Sequence, residues 1–309
     1  MISILMATYN GQAFIAEQIE SILNQSCQSY VLYINDDAST DDTFDIVKRF
    51  AAEFPDKIIA TKNSVNSGNA KHNFIDMMIR IKDDYVMLCD QDDIWLPDKI
   101  RITFDRIQEL ESEFGTDAPI LVHTDLRVVS QDIDCIISLS FREAMNSDFS
   151  RTKLRDQIVQ NTLTGCTVMY NRSMASLIIK KPNFMVMHDW WLMLIASAFG
   201  RIDSLNKQTV LYRQHDKNSI GAYDTRTLSY KLNKLRRYED IKRALAETYL
   251  QSQSLLDMYR DKLDAEQVKL LETYCQIPDM PKFKRWQTIW QLGTFKNGLS
   301  RKIAQFIFI

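Results

Sequence analysis

The sequence predicts an α/β fold in which a mostly parallel sheet is flanked by helices and followed by a C-terminal helical region. β-prone runs alternate with amphipathic helical patterns up to about residue 212, which is typical of βα units. Polar or acidic residues follow three of the first strands, and ligands of open α/β sheets bind at the carboxyl ends of strands. From about residue 225 the patterns are only helical. We therefore predict two regions, residues 1–221 and 222–309.

The first predicted strand, residues 2–6, leads into a polar loop that contains Thr8, Tyr9 and Asn10. A helix follows, whose apolar residues are spaced by three and four positions: Ile15, Ile19, Ile22 and Leu23. The loop has neither the G-x-G-x-x-G nor the Walker pattern of phosphate-binding loops. A pocket for phosphate alone is therefore not predicted.

The second predicted strand, residues 30–34, is followed by Asp36 and Asp37. Ser and Thr residues suited to capping the next helix come directly afterwards. Carboxylates at such a strand end suit ribose hydroxyls, base N–H groups and a phosphate-bridging cation. A strand at residues 57–62 and a helix at residues 73–81 continue the alternation.

Three carboxylates follow the next predicted strand, residues 84–89: Asp90, Asp92 and Asp93. Their mutual repulsion requires compensation, and hard oxygen ligands suit Mg²⁺ or Mn²⁺, whose remaining positions substrate phosphates can fill. The alternative is an acidic turn with Asp93 near the amino end of the helix that Pro97 opens. The second acidic strand end, at Asp36, favours a metal-nucleotide site.

The rest of the first region continues the same pattern. A strand at residues 119–129, a strand at residues 168–170 and an apolar helix at residues 190–199 follow in order. Gly165 precedes the second of these strands and permits close approach of a ligand to the backbone. The alternative for Gly165 is a simple turn.

Seven short motifs occur in order along residues 1–221. They read ILMATYNG (4–11), DDASTD (36–41), NSG (66–68), DQDDIW (90–95), TGCT (164–167), HDWW (188–191) and YRQH (212–215). Together they resemble bacterial family 2 glycosyltransferases, and more narrowly the rhamnosyltransferases that build surface polysaccharides. The resemblance implies a GT-A-type nucleotide-diphospho-sugar transferase fold with a C-terminal helical extension.

The resemblance also implies roles for individual residues. The nucleotide-binding residues would be Thr8, Tyr9, Asn10, Asp36, Asp37 and Asp90. The ligands of a divalent cation, Mn²⁺ or Mg²⁺, would be Asp90, Asp92 and His215. The residues facing the donor or acceptor sugar would be Asp93, Asp125, Gly165, His188 and Trp190. The alternative for His215, a loop histidine, is an ordinary surface residue.

The implied reaction is an inverting transfer of L-rhamnose from dTDP-β-L-rhamnose to a growing lipid-linked cell-surface polysaccharide. Such a transfer needs a base to remove the proton of the acceptor hydroxyl. The family pattern places an acidic residue before Trp in this role, which is Asp189 here. The alternative is that Asp189 caps the helix at residues 190–199, and His188 is the second candidate for the base.

Three other functions remain open at this point. The donor could be a UDP-hexose, because no residue distinguishes thymine from uracil. A sugar nucleotidyltransferase shares the sheet type and the cation, but it would carry a Gly- and Arg-rich first loop. A non-catalytic module that binds nucleotide or carbohydrate would not need Asp189 and His215 beside an intact acidic triplet.

The composition bears on the binding partners and on the cellular compartment of the protein. The net charge of −2 argues against a broad nucleic-acid-binding surface. The five cysteines are scattered, odd in number and without C-x-x-C spacing, which indicates buried thiols in a reducing compartment. Residues 1–3 enter a strand directly, and no apolar run approaches the ~20 residues of a membrane span. The predicted location is cytoplasmic, at the inner face of the bacterial plasma membrane.

The C-terminal region has two distinctive stretches. An apolar stripe that includes Leu228, Leu232 and Leu235 predicts a long helix. Beyond Asp279 the chain has no acidic residue, and cations alternate with Phe and Trp residues. This tail has two interpretations: an interfacial helix on an anionic leaflet, giving peripheral membrane association, or a terminal helix that packs its aromatic residues on the protein.

Overall fold

The computed structural model describes residues 1–215 and 238–309. The predicted boundary at residues 221 and 222 and the apolar stripe at Leu228, Leu232 and Leu235 lie outside these residues. The described chain forms two compact units. The first unit comprises Met1–Phe141, Thr164–Lys181 and residues 200–215. The second unit comprises Arg142–Leu163, Pro182–Phe199 and residues 238–309.

The first unit is built on one mixed sheet. Its strands are β1 (Ile2–Thr8), β2 (Tyr30–Asp36), β3 (Ile58–Lys62), β4 (Tyr85–Cys89), β5 (Ile94–Trp95), β6 (Ile120–Val129), β7 (Ile136–Ser138), β8 (Val168–Asn171) and β9 (Arg201–Arg213). The strand order is β3-β2-β1-β4-β8-β6-β9-β5, and β7 pairs with β6. Strands β3, β2, β1 and β4 are parallel, whereas β8 is antiparallel to both of its neighbours.

The described helices, in chain order, have the following bounds. They are α1 (Ile15–Leu23), α2 (Thr43–Glu53), α3 (Ala70–Arg80), α4 (Lys99–Phe114), α5 (Phe141–Ala144), α6 (Leu154–Gln157), α7 (Arg172–Leu177), α8 (His188–Phe199), α9 (Tyr238–Tyr259), α10 (Ala265–Cys275), α11 (Lys282–Leu292) and α12 (Leu299–Phe308). None of these helices is both long and apolar enough to span a membrane.

The core of the first unit lies between the sheet and its helices. Ile15, Ile19 and Ile22 of α1 are fully buried, as their spacing predicts. Strands β1 and β4 are buried on both faces, which explains their continuous apolar sequences. This packing fixes the carboxyl ends of β1, β2 and β4 side by side, because the three strands are in parallel register.

The second unit is helical in its described part. Residues Trp191 to Ala196 of α8 are all buried. Helices α9 and α10 pack through Thr248 and Tyr274, whose hydroxyl oxygens are 2.8 Å apart. Asp264 begins α10 with a capping box, because its side chain accepts from the N–H of Gln267 and that residue's side chain accepts from Asp264 N–H.

The C-terminal tail is packed on one face and exposed on the other. Ile289 of α11 and Gln305 of α12 are buried, and the Gln305 side chain donates to the Thr294 carbonyl at 2.8 Å. Phe283 and Trp290, by contrast, are largely exposed. Packing on the protein therefore accounts for only part of the apolar side chains of this segment.

Candidate functional site

The loop after β1 and the loop after β2 are joined through Asp36. Thr8 is paired with Asp36 in the sheet register, and its Oγ1 donates to Asp36 Oδ2 at 3.1 Å. The N–H of Ser39 donates to Asp36 Oδ1 at 2.9 Å, and Lys62 Nζ lies 3.7 Å from the same oxygen. Asp36 is fully buried, so its carboxylate joins the two loops from inside the protein.

Asp37 is also buried and organises the neighbouring loop. Its Oδ1 accepts from Asn63 Nδ2 at 2.7 Å and from the N–H of Ser67 at 2.9 Å. Its Oδ2 accepts from the Ser67 hydroxyl at 2.7 Å. The loop that carries the NSG motif is therefore held against the end of β2.

Tyr9 and Asn10 form the outer part of the same edge. Asn10 adopts a left-handed backbone conformation with φ of 46°, and its Oδ1 accepts from the N–H of Thr40 at 2.9 Å. Tyr9 is 47% exposed, so its ring can stack on a planar base. The structure thus brings Thr8, Tyr9, Asn10 and Asp36, four of the predicted nucleotide-binding residues, to one edge.

Gln91 ties the loop after β4 to the loop after β1. The N–H of Tyr9 donates to Gln91 Oε1 at 2.9 Å, and Gln91 Nε2 donates back to the Tyr9 carbonyl at 3.0 Å. Gly11 permits this contact, because a Cβ on Gly11 would lie 2.3 Å from Gln91 Oε1. No role was predicted for Gln91 from the sequence, although it lies within the acidic motif.

We expect Gly11→Ala to displace the Gln91 amide and to lower the free energy of unfolding by about 1–2 kcal/mol, since two hydrogen bonds are lost. Gln91→Ala removes the same two bonds, so the double variant should be no less stable than either single variant. Urea unfolding of the four proteins measures this coupling. Additive losses would contradict the shared contact.

The three carboxylates after β4 have different surroundings. Asp92 is partly exposed, and its Oδ2 lies 3.0 Å from Nε2 of His215. The ring of Phe14 stacks on His215, with ring centroids 4.8 Å apart, and the Arg213 guanidinium lies 4.9 Å from the centroid of the Phe14 ring. The predicted partners Asp92 and His215 therefore meet across 123 residues of sequence.

Asp93 differs from its two neighbours because it is fully buried. Burial, together with the charges of Asp92 and Asp90, raises the pKa of Asp93 well above its ordinary value. Its Oδ2 has no hydrogen-bond partner among the described residues. Asp93 does not cap the next helix, because Asp98 holds the N-cap position of α4.

A second group of possible ligands lies below the surface. One atom each from Asp90, Asp93 and Cys166 lie within 4.8 Å of one another. Burial raises the pKa of both Asp93 and the Cys166 thiol, which disfavours the ionised forms that bind a metal ion. Asp92 and His215 are 3.0 Å apart, and the assignment of Asp90, Asp92 and His215 as ligands of a divalent cation stays a prediction.

Arg213, at the end of β9, holds the loop after β4 in place. Its Nε donates to the Asp92 carbonyl at 3.0 Å, and its backbone N–H donates to Asp93 Oδ1 at 3.3 Å. Its guanidinium also contacts the Glu17 carboxylate and the Gln131 carbonyl. The YRQH motif therefore supplies His215, which contacts the Asp92 side chain, and Arg213, which binds the Asp92 backbone.

Two further predicted sugar-facing residues of the first unit are buried. Asp125 in β6 accepts from the Leu126 N–H at 2.9 Å and from the Ser140 hydroxyl at 2.6 Å. Gly165 begins a short 3₁₀ turn, Gly165–Thr167, ahead of β8. The turn interpretation of Gly165 thus holds for its local structure, and its sugar-facing role stays a prediction.

Asp189, His188 and Trp190 all lie in the second unit, in the first turn of α8. Asp189 Oδ1 accepts from the Trp190 N–H at 2.6 Å, and Asn161 Nδ2 donates to Asp189 Oδ2 at 3.3 Å. Trp190 Nε1 donates to the Gln157 carbonyl at 2.7 Å. Burial lowers the pKa of His188 to about 3, which makes His188 a weak base and favours Asp189 over it.

Comparison with known proteins decides the class. A sequence profile described as glycosyl transferase family 2 matches residues 3–177, which include the first five motifs. The chain belongs to glycosyl transferase family 2. It is therefore a glycosyltransferase, and the alternatives of a nucleotidyltransferase and a non-catalytic binding module are set aside.

One sequence relative and two solved structures illustrate the similarity. The chain is 31% identical over 241 residues to "dTDP-rhamnosyl transferase RfbG" of Shigella flexneri, covering 73% of this chain and 77% of that protein. S. aureus TarS 1-349 in complex with UDP has a TM-score of 0.55 at 15% identity, covering 95% and 92% of the two chains. The mannosyltransferase PcManGT from Pyrobaculum calidifontis, in complex with GDP-Man and Mn²⁺, has a TM-score of 0.54 at 16% identity, covering 94% and 84%. The predicted GT-A-type fold is thereby confirmed.

Proposed function

We propose that this family 2 glycosyltransferase transfers L-rhamnose from dTDP-β-L-rhamnose to a growing lipid-linked cell-surface polysaccharide, with inversion at the anomeric carbon. The observation that carries the donor assignment is the 31% identity to a dTDP-rhamnosyl transferase over most of both chains. The second candidate donor is a UDP-sugar, which the fold shared with the UDP complex of TarS favours.

The edge formed by the loops after β1, β2 and β4 would bind the nucleotide. Tyr9 is exposed and suits stacking on the base. The buried Asp36 accepts from Thr8, which precedes Tyr9, and the buried Asp37 holds the loop that carries the NSG motif. Asp90 would accept a hydrogen bond from a ribose hydroxyl. These residues would bind the base and the ribose, and the diphosphate would be bound through the cation.

The side chains of Asp90, Asp92 and His215 would hold Mn²⁺ or Mg²⁺. When bound, the cation would neutralise charge on the diphosphate leaving group. Asp92 and His215 are already 3.0 Å apart, so both ligands lie close enough to share one ion. Arg213 would keep the Asp92 backbone in place, because it binds the Asp92 carbonyl.

In the proposed transfer, Asp189 accepts the proton of the acceptor hydroxyl. The acceptor oxygen forms a bond to the anomeric carbon on the face opposite the nucleotide, and the bond from that carbon to the diphosphate oxygen breaks. The products are the extended glycan and dTDP, and the proton resides on Asp189 until it exchanges with water. Asp125, Gly165, His188 and Trp190 are each proposed to face a donor or acceptor sugar, whereas the full burial of Asp93 argues against direct contact of its side chain with a sugar.

The proposed location is the cytoplasmic face of the bacterial plasma membrane, since a lipid-linked acceptor is confined to a membrane surface. The described residues contain no membrane-spanning helix. We propose that association is peripheral, through the basic and aromatic residues beyond Asp279.

We expect purified protein with Mn²⁺ to release dTDP from dTDP-β-L-rhamnose faster than it releases UDP from UDP-glucose or UDP-N-acetylglucosamine. Nucleotide release is measured by chromatography on a panel of donors, with chelator added as the control for the cation. Preferential release of UDP would reject the rhamnose assignment and retain the second candidate. Release that is unaffected by chelator would reject the cation assignment.

A further inference from the structure

Helices α11 and α12 share an exposed apolar face. We call it the tail surface, and its members are Phe283, Trp286, Trp290, Leu299, Ile303 and Ile307. Phe283, Trp290 and Leu299 are 77%, 73% and 75% exposed. Side chains of this size, clustered and exposed, mark a site of interaction rather than ordinary protein surface.

The tail surface is continuous and firmly supported. Trp286 Nε1 donates to the Phe306 carbonyl at 2.8 Å, which joins α11 to α12. Phe295 continues the contact, because its ring lies 5.5 Å from that of Trp290 and 6.2 Å from that of Phe306. The opposite faces of both helices are buried within the second unit. The two helices thus present one surface with an open groove of about 560 Å³ between them.

The charged side chains of the segment that carries the tail surface are all positive. Residues 280–309 contain six Lys or Arg residues and no Asp or Glu. Lys282 Nζ lies 5.7 Å from the Trp286 ring, and Lys302 Nζ lies 5.7 Å from the Phe295 ring. One cation therefore lies beside Trp286 of the tail surface, and another lies beside the half-buried ring of Phe295. A surface of Trp, Phe and Ile rimmed by cations matches the boundary between acyl chains and anionic headgroups.

We propose that the tail surface binds the protein to an anionic lipid bilayer. Phe283, Trp290 and Ile303 enter the boundary between headgroups and acyl chains, while Lys282 and Lys302 contact lipid phosphates. The inference extends the proposed function, which places the acceptor on a lipid. It is tested without any sugar transfer, so the two proposals can fail independently.

The test compares wild-type protein with the double variant Trp290→Ser/Ile303→Ser. Both side chains are more than half exposed, so the substitutions remove little packing. The matched control is Leu250→Ser, because Leu250 is also exposed and apolar but lies on α9 outside the tail surface. Co-sedimentation with phosphatidylglycerol vesicles should show at least about a tenfold loss of affinity in the double variant and none in the control.

Charge is tested separately with Lys282→Glu/Lys302→Glu. This variant should lose binding to phosphatidylglycerol vesicles, and wild-type binding should weaken with salt and on phosphatidylcholine vesicles. Equal vesicle binding by wild type and both double variants would overturn the proposal. So would a wild-type dimer in light scattering that Trp290→Ser/Ile303→Ser dissociates, in the absence of vesicle binding. Donor hydrolysis in vesicle-free buffer, run in parallel, reports on the proposed function alone.

Discussion

Asp92→Ala should reduce sugar transfer by on the order of 10²-fold or more, since stabilisation of a leaving diphosphate by a cation contributes several kcal/mol. The fold should persist, because Arg213 binds the backbone carbonyl of residue 92 and not its side chain. Binding of dTDP should lose its dependence on Mn²⁺. Isothermal titration with and without Mn²⁺ measures this loss separately from turnover.

His215→Ala should behave like Asp92→Ala, and the double variant should be little worse than either, because both residues are proposed to hold the same ion. The matched control is Asp105→Ala, an exposed carboxylate on α4 away from the site. Retention of Mn²⁺-dependent dTDP binding with unchanged affinity in Asp92→Ala would refute the assignment of Asp92.

Asp189→Asn should lower turnover by about 10²–10⁴-fold, the usual contribution of a general base. The affinity for the donor should hardly change, since the proposed role of the carboxylate concerns the acceptor. The amide oxygen of Asn can still accept from the Trp190 N–H. The 3.3 Å hydrogen bond from Asn161 Nδ2 to residue 189 is lost, because two hydrogen bonds with Leu163 fix the orientation of the Asn161 amide.

A control for this substitution exists within the second unit. Asp264→Asn changes a carboxylate that caps α10, where Asn is an equally good cap, so stability and turnover should both be retained. Chemical denaturation and single-turnover kinetics on both variants separate capping from catalysis. Near-normal turnover of a well-folded Asp189→Asn protein would eliminate Asp189 as the base.

Much of the architecture was predictable because helix and strand periodicities are local. The spacing of Ile15, Ile19 and Ile22 predicted the buried face of α1, and the run at residues 30–34 predicted β2. The direction of each strand was harder to predict from the sequence. The antiparallel course of β8 depends on which strands it lies between, and no local pattern in four residues carries that information.

In the candidate site, too, some features were predictable from the sequence and others were not. Asp92 and His215 were paired through motif resemblance, although 123 residues separate them. The burial of Asp93 was not foreseen, because three adjacent carboxylates look alike in sequence while only one points into the core. The contact of Gln91 with Tyr9 was missed for a similar reason. It depends on the absence of a side chain at Gly11, a feature that has meaning only in three dimensions.

The distance in sequence between Asp92 and His215 also bears on how the protein is made. Strands β1, β2 and β4 are complete once residue 89 has been synthesised, and they can pair while the rest of the chain is still on the ribosome. At about 5–20 residues per second, roughly 6–25 seconds then pass before His215 follows Asp92. During that interval the nascent chain exposes its acidic motif without the histidine, and the contact between Asp92 and His215 can form only after residue 215 has been synthesised.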